Sequence, residues 1–437
     1  MTIDAMVLDE QEVFKPLTAL FDMPVNTKGA PLVYLNGNSL GPKPKRVNEA
    51  VRQHCDTWGS LGVRGHFDGA NPWMSYHQRV APQLARLVGA KPHEVVAMGT
   101  LTGNLHLLFM SFYRPTPTRY KIIHFAGFPS DTYAVRSQVQ LRLQTLRDFQ
   151  SDATLEHAVI EITPDDTGYI AWDTIEQVLA THGSDTAVVW FEAVHYLTGQ
   201  RFDIERITQL AHHYGCKVGF DLAHAIGNVE VQLHEHDVDF AVWCHYKYVS
   251  AGPGAIAGLY VHERFACDPN YPRLAGWWGN KPATRFHMSP DFDPILGAEG
   301  WQLSNAELFS LSALHEALCL FDTVDLTALR AKNTRLVAYL EQLMRETLQD
   351  NVVMITPENP AERGCQLSFR LIGVNHLEHL ETALLNLGVV CDVRRDVLRV
   401  APMGLYNTFQ DVFYFVCQLN QFIQQKSIPC AHEFSVF

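Results

Sequence analysis

Residues 239–261 read DFAVWCHYKYVSAGPGAIAGLYV. The two apolar runs at its ends, DFAVW and AIAGLYV, have the length and the aromatic and β-branched content of buried strands. Between them Lys247 stands amid two tyrosines and is followed within seven residues by two glycines and a proline. A lysine in a turn is ordinarily solvated. This one follows closely on a strand with no polar face, and ligands of open α/β sheets sit beyond the carboxyl ends of such strands.

Outward from that stretch the same texture recurs. KIIHF (121–125), AVVWF (187–191) and KVGF (217–220) read as further strands. Helix signals lie between them. Asp173 with Glu176 reads as a capping box opening TIEQVLATHG, and Asp203 precedes IERITQLAHHYG, which stops at Gly215. Near-continuous apolar strands separated by capped helices predict an α/β domain with a mainly parallel sheet covered by helices on both faces. Beyond about residue 305 the pattern changes to a long amphipathic helix, LTALRAKNTRLVAYLEQLMRETL, then strand-like CQLSFRL, helix-like HLEHLETALLNLG, strand-like VVCDV and a last helix around DVFYFVCQLNQFIQQ. The expected division is a large α/β domain over 51–304 and a smaller α+β domain made of 1–50 plus 305–437. The segment 269–300, rich in Pro, Gly and Trp, reads as an extended loop whose surface needs a partner.

Composition narrows the function classes. The 437 residues are 47% apolar and 19% charged, with 34 basic against 47 acidic side chains and a net charge of −13. The basic residues form no runs, which disfavours nucleic acid and anionic membranes as partners. The N-terminus, MTIDAMVLDEQEVF, lacks the basic start and apolar core of a signal peptide, and no stretch approaches a membrane span. A cytoplasmic protein is expected. Nine cysteines without a C-x-x-C pair fit core residues or free thiols in a reducing compartment.

Several chemistry-bearing residues fall at the predicted strand ends. Asp221 follows KVGF, His224 comes three residues later in DLAH, and Lys247 lies 26 residues beyond Asp221. In MGTLTGNLHLLF, Leu101, Thr102 and Gly103 can present backbone N–H groups at a helix N-terminus, a ready anion site. Phe128 opens FPSD just after KIIHF, with Pro129, Ser130 and Asp131 beside it. A lysine amine for a Schiff base, a carboxylate to keep a pyridine nitrogen protonated, an aromatic wall and a phosphate cradle are the parts that hold pyridoxal 5'-phosphate. Each part has a plainer reading: the aspartate as a helix cap, His224 as a structural histidine, AGPGAIAG as a tight turn. No P-loop or G-x-G-x-x-G fingerprint is present, so nucleotide cofactors lack support.

The chain resembles the kynureninase family, within the aspartate-aminotransferase-like, fold type I class of pyridoxal-phosphate enzymes. The resemblance runs through GNSLGPKP (37–44), LTGNLHLLFMSFYRPT (101–116), FPSDTYAV (128–135), HYLTGQ (195–200), GFDLAHAIGNV (219–229), YKYVSAGPGAIAG (246–258), LAGWWG (274–279), GAEGWQLSN (297–305), RGCQLS (363–368) and LRVAPMGLYN (398–407). It implies a carbon–carbon bond hydrolase of tryptophan degradation. The implied reaction converts L-kynurenine or 3-hydroxy-L-kynurenine to anthranilate or 3-hydroxyanthranilate plus L-alanine. By the same resemblance, Lys247 is the Schiff-base lysine and acts with Tyr246 in proton transfer. Asp221 partners the pyridinium, Phe128 stacks on the ring, and Asp131 and His224 lie beside it. Leu101, Thr102 and Tyr246 hold the phosphate. Trp277 and Asn305 reach the phosphate of a neighbouring subunit, which implies a homodimer with shared active sites. Arg399 grips the substrate α-carboxylate, while Ser39, His66 and Asn305 line the aromatic end.

Plainer rivals stand beside these assignments. Arg394 and Arg395 are close enough to compete with Arg399, and Trp277 and Trp278 can both fill an interface. Three departures from the family pattern stand out: Glu192 where a small, hydroxyl or proline residue is usual, Gly99 in place of asparagine, and Ala306–Glu307 in place of two prolines. HEHDVD (234–239) offers metal ligands at alternating positions but reads better as a solvated turn. Two other functions compete: a cysteine desulfurase or selenocysteine lyase, which needs a reactive loop cysteine, and an inactive, cofactor-binding relative.

Overall fold

The computed structural model describes residues 4–148, 150, 152–373 and 379–426. The chain forms two compact units, one drawn from Met1–Lys45, Leu197–Gly199 and Val324–Phe437, the other from Arg46–Tyr196 and Gln200–Thr323.

The larger unit is built on seven strands: β1 (Val95–Ala97), β2 (Lys121–Phe125), β3 (Val159–Ile162), β4 (Thr186–Glu192), β5 (Lys217–Asp221), β6 (Phe240–Trp243) and β7 (Gly258–Val261). Their spatial order is β1-β7-β6-β5-β4-β2-β3. Pairs β6/β5, β5/β4, β4/β2 and β2/β3 are parallel, and only β7 runs against its neighbours. The parallel set therefore points its carboxyl ends one way, toward the site. Every residue of β6 and β7 is buried, as continuous apolar strands require when both faces are covered. The covering helices include α1 (Val47–Leu61), α2 (Ala81–Val88), α3 (Leu101–Phe112), α4 (Pro129–Arg147), α5 (Trp172–His182), α6 (Ile204–His213) and α7 (Leu308–Asp322). Phe240 of β6 stacks on Phe112 of α3 at 4.4 Å and on Trp190 of β4 at 5.7 Å. Gly219 makes room for that ring, since a Cβ there would lie 2.3 Å from it.

Asp203 caps α6 as expected, its side chain accepting the Arg206 N–H. Asp173 does not cap: α5 begins one residue earlier, at Trp172, and Asp173 lies in the first turn. There its charge still suits the helix dipole. Trp172, now the first helical residue, carries the Arg206 guanidinium over its ring at 3.6 Å.

The smaller unit holds α8 (Leu326–Leu348), α9 (Leu380–Asn386), α10 (Phe409–Lys426) and an antiparallel sheet of β8 (Val352–Met354), β9 (Leu367–Leu371), β10 (Asp392–Arg394) and β11 (Val397–Val400), ordered β8-β9-β11-β10. VVCDV is not one strand. Val389–Val390 pairs in parallel with Val33–Tyr34, and β10 joins the other sheet after Cys391. Residues 376–378 of the expected HLEHLETALLNLG helix lie outside the described residues.

Candidate active site

The ends of the parallel strands deliver the site. Phe128 follows β2, Glu192 ends β4, Asp221 ends β5 and Lys247 lies four residues past β6. One cavity in the larger unit is lined by Lys247, Tyr246, Asp221, His224, Phe128 and Ser130, together with Leu101, Thr102, Glu192, Tyr196 and Ala223.

At one side stands the first turn of α3. Thr100 is its N-cap, accepting the Gly103 N–H at 3.3 Å. Leu101 and Thr102 then supply N–H groups that no helical carbonyl can satisfy. The Thr102 and Ser130 hydroxyls are 2.8 Å apart, joining the α3 and α4 starts. Pro129 is the first residue of α4, where its lack of an N–H costs nothing. Phe128 remains 46% exposed, with its ring against Tyr196 at 5.2 Å and Lys247 Nζ at 5.9 Å from its centre.

The turn carrying Lys247 is fixed from below. His245, fully buried, receives the Trp243 indole N–H at 2.7 Å and bonds the Ile256 carbonyl at 2.5 Å. One ring nitrogen accepts and the other donates, so the ring is neutral. Burial agrees, pushing it down to about 4. Ser250, at φ +64°, bonds the Lys247 carbonyl through its N–H, closing the turn.

Three buried carboxylates face this lysine. Asp131 is 1% exposed and takes the Trp190 indole N–H at 2.9 Å. Burial, then Asp221 and Glu192, hold it well above the carboxylate range. Burial raises Asp221 to about 6, with Lys247 and the Ala223 N–H opposing. Glu192 is raised to about 8 by burial and then by Asp221, its strand neighbour. Three carboxyl groups held up by burial around one lysine amine form a site that favours a further cationic partner. A protonated pyridine ring supplies that partner, and the α3 N-terminus with its hydroxyls suits a phosphate. The donor set thus fits pyridoxal 5'-phosphate.

Other anticipated residues fall outside the cavity. His66 packs edge-on against Trp73 at 5.1 Å and bonds the Val63 carbonyl at 3.1 Å. Trp277 and Asn305 are exposed, Trp277 meeting Phe286 at 5.8 Å. Trp278, by contrast, is buried under the Arg285 guanidinium. In the smaller unit Arg399 is buried, whereas Arg394 is exposed and Arg395 occupies a turn at φ +58°. Asp392, directly opposite on β10, binds Arg399 through both oxygens at 2.7 and 2.5 Å, and Ser39 donates to Asp392 at 2.5 Å. Asp392 is held below the usual carboxylate range: burial raises it, but Arg399 and Ser39 outweigh that.

HEHDVD contributes His234 to a group with Glu94 and His262 whose donor atoms lie within 4.8 Å. Several of those atoms already have partners. Glu94 Oε1 accepts the Glu263 N–H and bonds His234, and His262 Nδ1 accepts the Arg264 N–H.

The chain is 46% identical over 415 residues to the kynureninase of Myxococcus xanthus, covering 94% of this chain and 95% of that one. The chain belongs to the kynureninase family. The kynureninase of Stenotrophomonas maltophilia is likewise 46% identical, over 94% of this chain and 96% of its own. The family model for the kynureninase C-terminal domain matches residues 329–419. Among solved structures, a cysteine desulfurase from Escherichia coli superposes with a TM-score of 0.73 at 17% identity, over 93% of this chain and 98% of its own. A C-DES variant with glycine covalently linked to its PLP cofactor gives 0.72 at 16% identity, over 89% and 96%. These establish the fold type I architecture that kynureninases share with desulfurases. No cysteine lines the cavity among the described residues.

Sequence reasoning missed Asp392, His245 and Tyr196, and it flagged Glu192 without its partner. Glu192 accepts N–H groups from Phe128 and, at 3.2 Å, from Tyr196. Gly127 makes this possible, since a Cβ there would lie 2.1 Å from Glu192 Oε1. The only available signal was that glycine preceding FPSD.

Proposed function

We propose that this chain hydrolyses the Cβ–Cγ bond of L-kynurenine or its 3-hydroxy form, releasing L-alanine and the corresponding anthranilate, with pyridoxal 5'-phosphate as cofactor. The observation that carries the reading is Lys247 and Asp221 meeting in one cavity beside an anion-binding helix start, in a chain of the kynureninase family. Lys247 would hold the cofactor through its amine, Asp221 its ring nitrogen, Phe128 its face, and Thr102 and Tyr246 its phosphate. Bound, that group withdraws electrons from the substrate's Cα and then from Cβ.

The chain's own groups do the rest. Lys247 Nζ takes the proton from Cα. Burial pushes the Tyr246 phenol above its ordinary value, so it remains a proton donor through the physiological range. Water adds to the γ-carbonyl, the Cβ–Cγ bond breaks with loss of the aryl acid, and two proton deliveries, one to Cβ and one back to Cα, complete alanine. Arg399, oriented by Asp392, is the proposed anchor for the substrate α-carboxylate. Ser39, His66 and Asn305 are assigned to the aromatic end.

A homodimer is part of this reading, Trp277 and Asn305 of each copy serving the other's phosphate. Their exposure outside their own cavity supports it, as does the aromatic surface formed by Trp277, Phe286 and Phe67. Among the described residues no helix is long and apolar enough to cross a membrane. We assign the chain to the cytoplasm and to tryptophan degradation.

The test is direct. Purified protein supplied with the cofactor should release anthranilates from both substrates, and Lys247→Ala should abolish turnover and borohydride trapping of cofactor at this position. Near-normal cleavage by verified Lys247→Ala protein refutes the assignment.

A further inference from the structure

Glu192 sits in the cavity without belonging to the machinery above. It ends β4, and its two oxygens accept N–H groups from two separate segments, Phe128 at the start of α4 and Tyr196 in the turn after β4. Gly127 leaves the space it fills. A carboxylate 4% exposed is costly to maintain unless something in the site uses it. The charged and titratable groups around it are Asp131 from α4, Asp221 ending β5, His224 in the following turn, Tyr246 and Lys247 after β6, and Tyr196.

We propose that Glu192 is a positioning residue of the cofactor site. It ties the Phe128 backbone to the Tyr196 backbone beneath the cavity wall, and it ionises when the cofactor's cationic ring enters. The inference rests on the cofactor reading above. Buried beside Asp221, with Lys247 and the two backbone N–H groups opposing, the carboxyl of the cofactor-free site retains its proton at neutral pH, in line with its rise to about 8. A cation beside it favours the ionised form, so cofactor binding expels that proton.

Linkage gives the sign. A proton released on binding makes affinity improve as pH rises toward the value in the empty site, by up to about tenfold per pH unit. The experiment measures cofactor affinity by absorbance from about pH 6 to 9, and proton release by calorimetry in buffers of different ionisation enthalpy, for wild type, Glu192→Gln and Glu192→Ser. Wild type should release about one proton more than either variant near pH 7 and lose the excess above about pH 8. Glu192→Ser leaves less to accommodate and serves if Glu192→Gln fails to fold. Equal proton counts and parallel affinity profiles overturn the inference, and so does a uniform weakening with no change of slope. A wild-type protein that takes up no cofactor refutes the underlying reading instead.

Discussion

Asp392 and Arg399 face each other across β10 and β11 with side chains only 6% and 3% exposed. A buried ion pair contributes little against apolar residues of the same size, but removing one partner strands a charge, at a cost of about 3–5 kcal/mol. Asp392→Ala should therefore lower the denaturant midpoint sharply, and Arg399→Ala should raise KM more than it lowers kcat. Because Asp392 is held below its ordinary value in the fold, its contribution is complete above its unfolded value, about 3.9, and disappears as pH falls through the lower folded one. Asp392→Asn should flatten that acid-side slope in urea titrations. Gly127 and Glu192 form a second coupled pair, here a steric one. Gly127→Ala should damage cofactor binding in wild type and be better tolerated in Glu192→Ser, where the clashing oxygen is gone. An equal loss in both backgrounds would separate the two positions.

The turn between β6 and β7 is an element whose stability is set by one neutral histidine. His245 is depressed to about 4 from an ordinary 6.5 by burial. A histidine depressed in the fold gives its full stabilisation above the unfolded value and loses it as the unfolded chain protonates. Stability should fall between about pH 6.5 and 4, by something on the order of 3 kcal/mol. His245→Gln should lose the slope in that window, as measured by chemical denaturation of the cofactor-free protein at several pH values. The same turn holds Lys247, so its loosening should appear as faster cofactor loss in the variant. Nothing in CHYKYVS distinguishes this histidine by periodicity. Its role emerges only when Trp243 at the end of β6 and Ile256 just before β7 close on it.

At the scale of the whole molecule, the proposed shared site makes a prediction that single-chain chemistry does not. Lys247→Ala and Trp277→Ala proteins, each inactive or weak alone, should regain activity when unfolded and refolded together, because a mixed dimer contains one site with neither defect. Recovery absent in the mixture, with dimers demonstrated by sedimentation, would argue that each copy works alone. The Trp277, Phe286 and Phe67 surface should be covered in such a dimer, and charge placed at Phe286 should yield monomers with weakened cofactor binding.

The fold class and the centre of the site were legible without coordinates, because both depend on local signals. Continuous apolar runs mark buried parallel strands, capped segments mark helices, and residues just past strand ends fall where such sheets keep their ligands. KIIHF, KVGF and the helix 326–348 appear as read, and Lys247, Asp221 and Phe128 meet as their positions implied. Tertiary structure alone decided which of Arg394, Arg395 and Arg399 is buried, which of Trp277 and Trp278 is exposed, and that VVCDV divides between two sheets. It also decided the burial and the hydrogen-bond partners of Glu192 and His245. Pairing and proton affinity depend on desolvation and on partners distant in the chain, and a one-dimensional pattern carries neither.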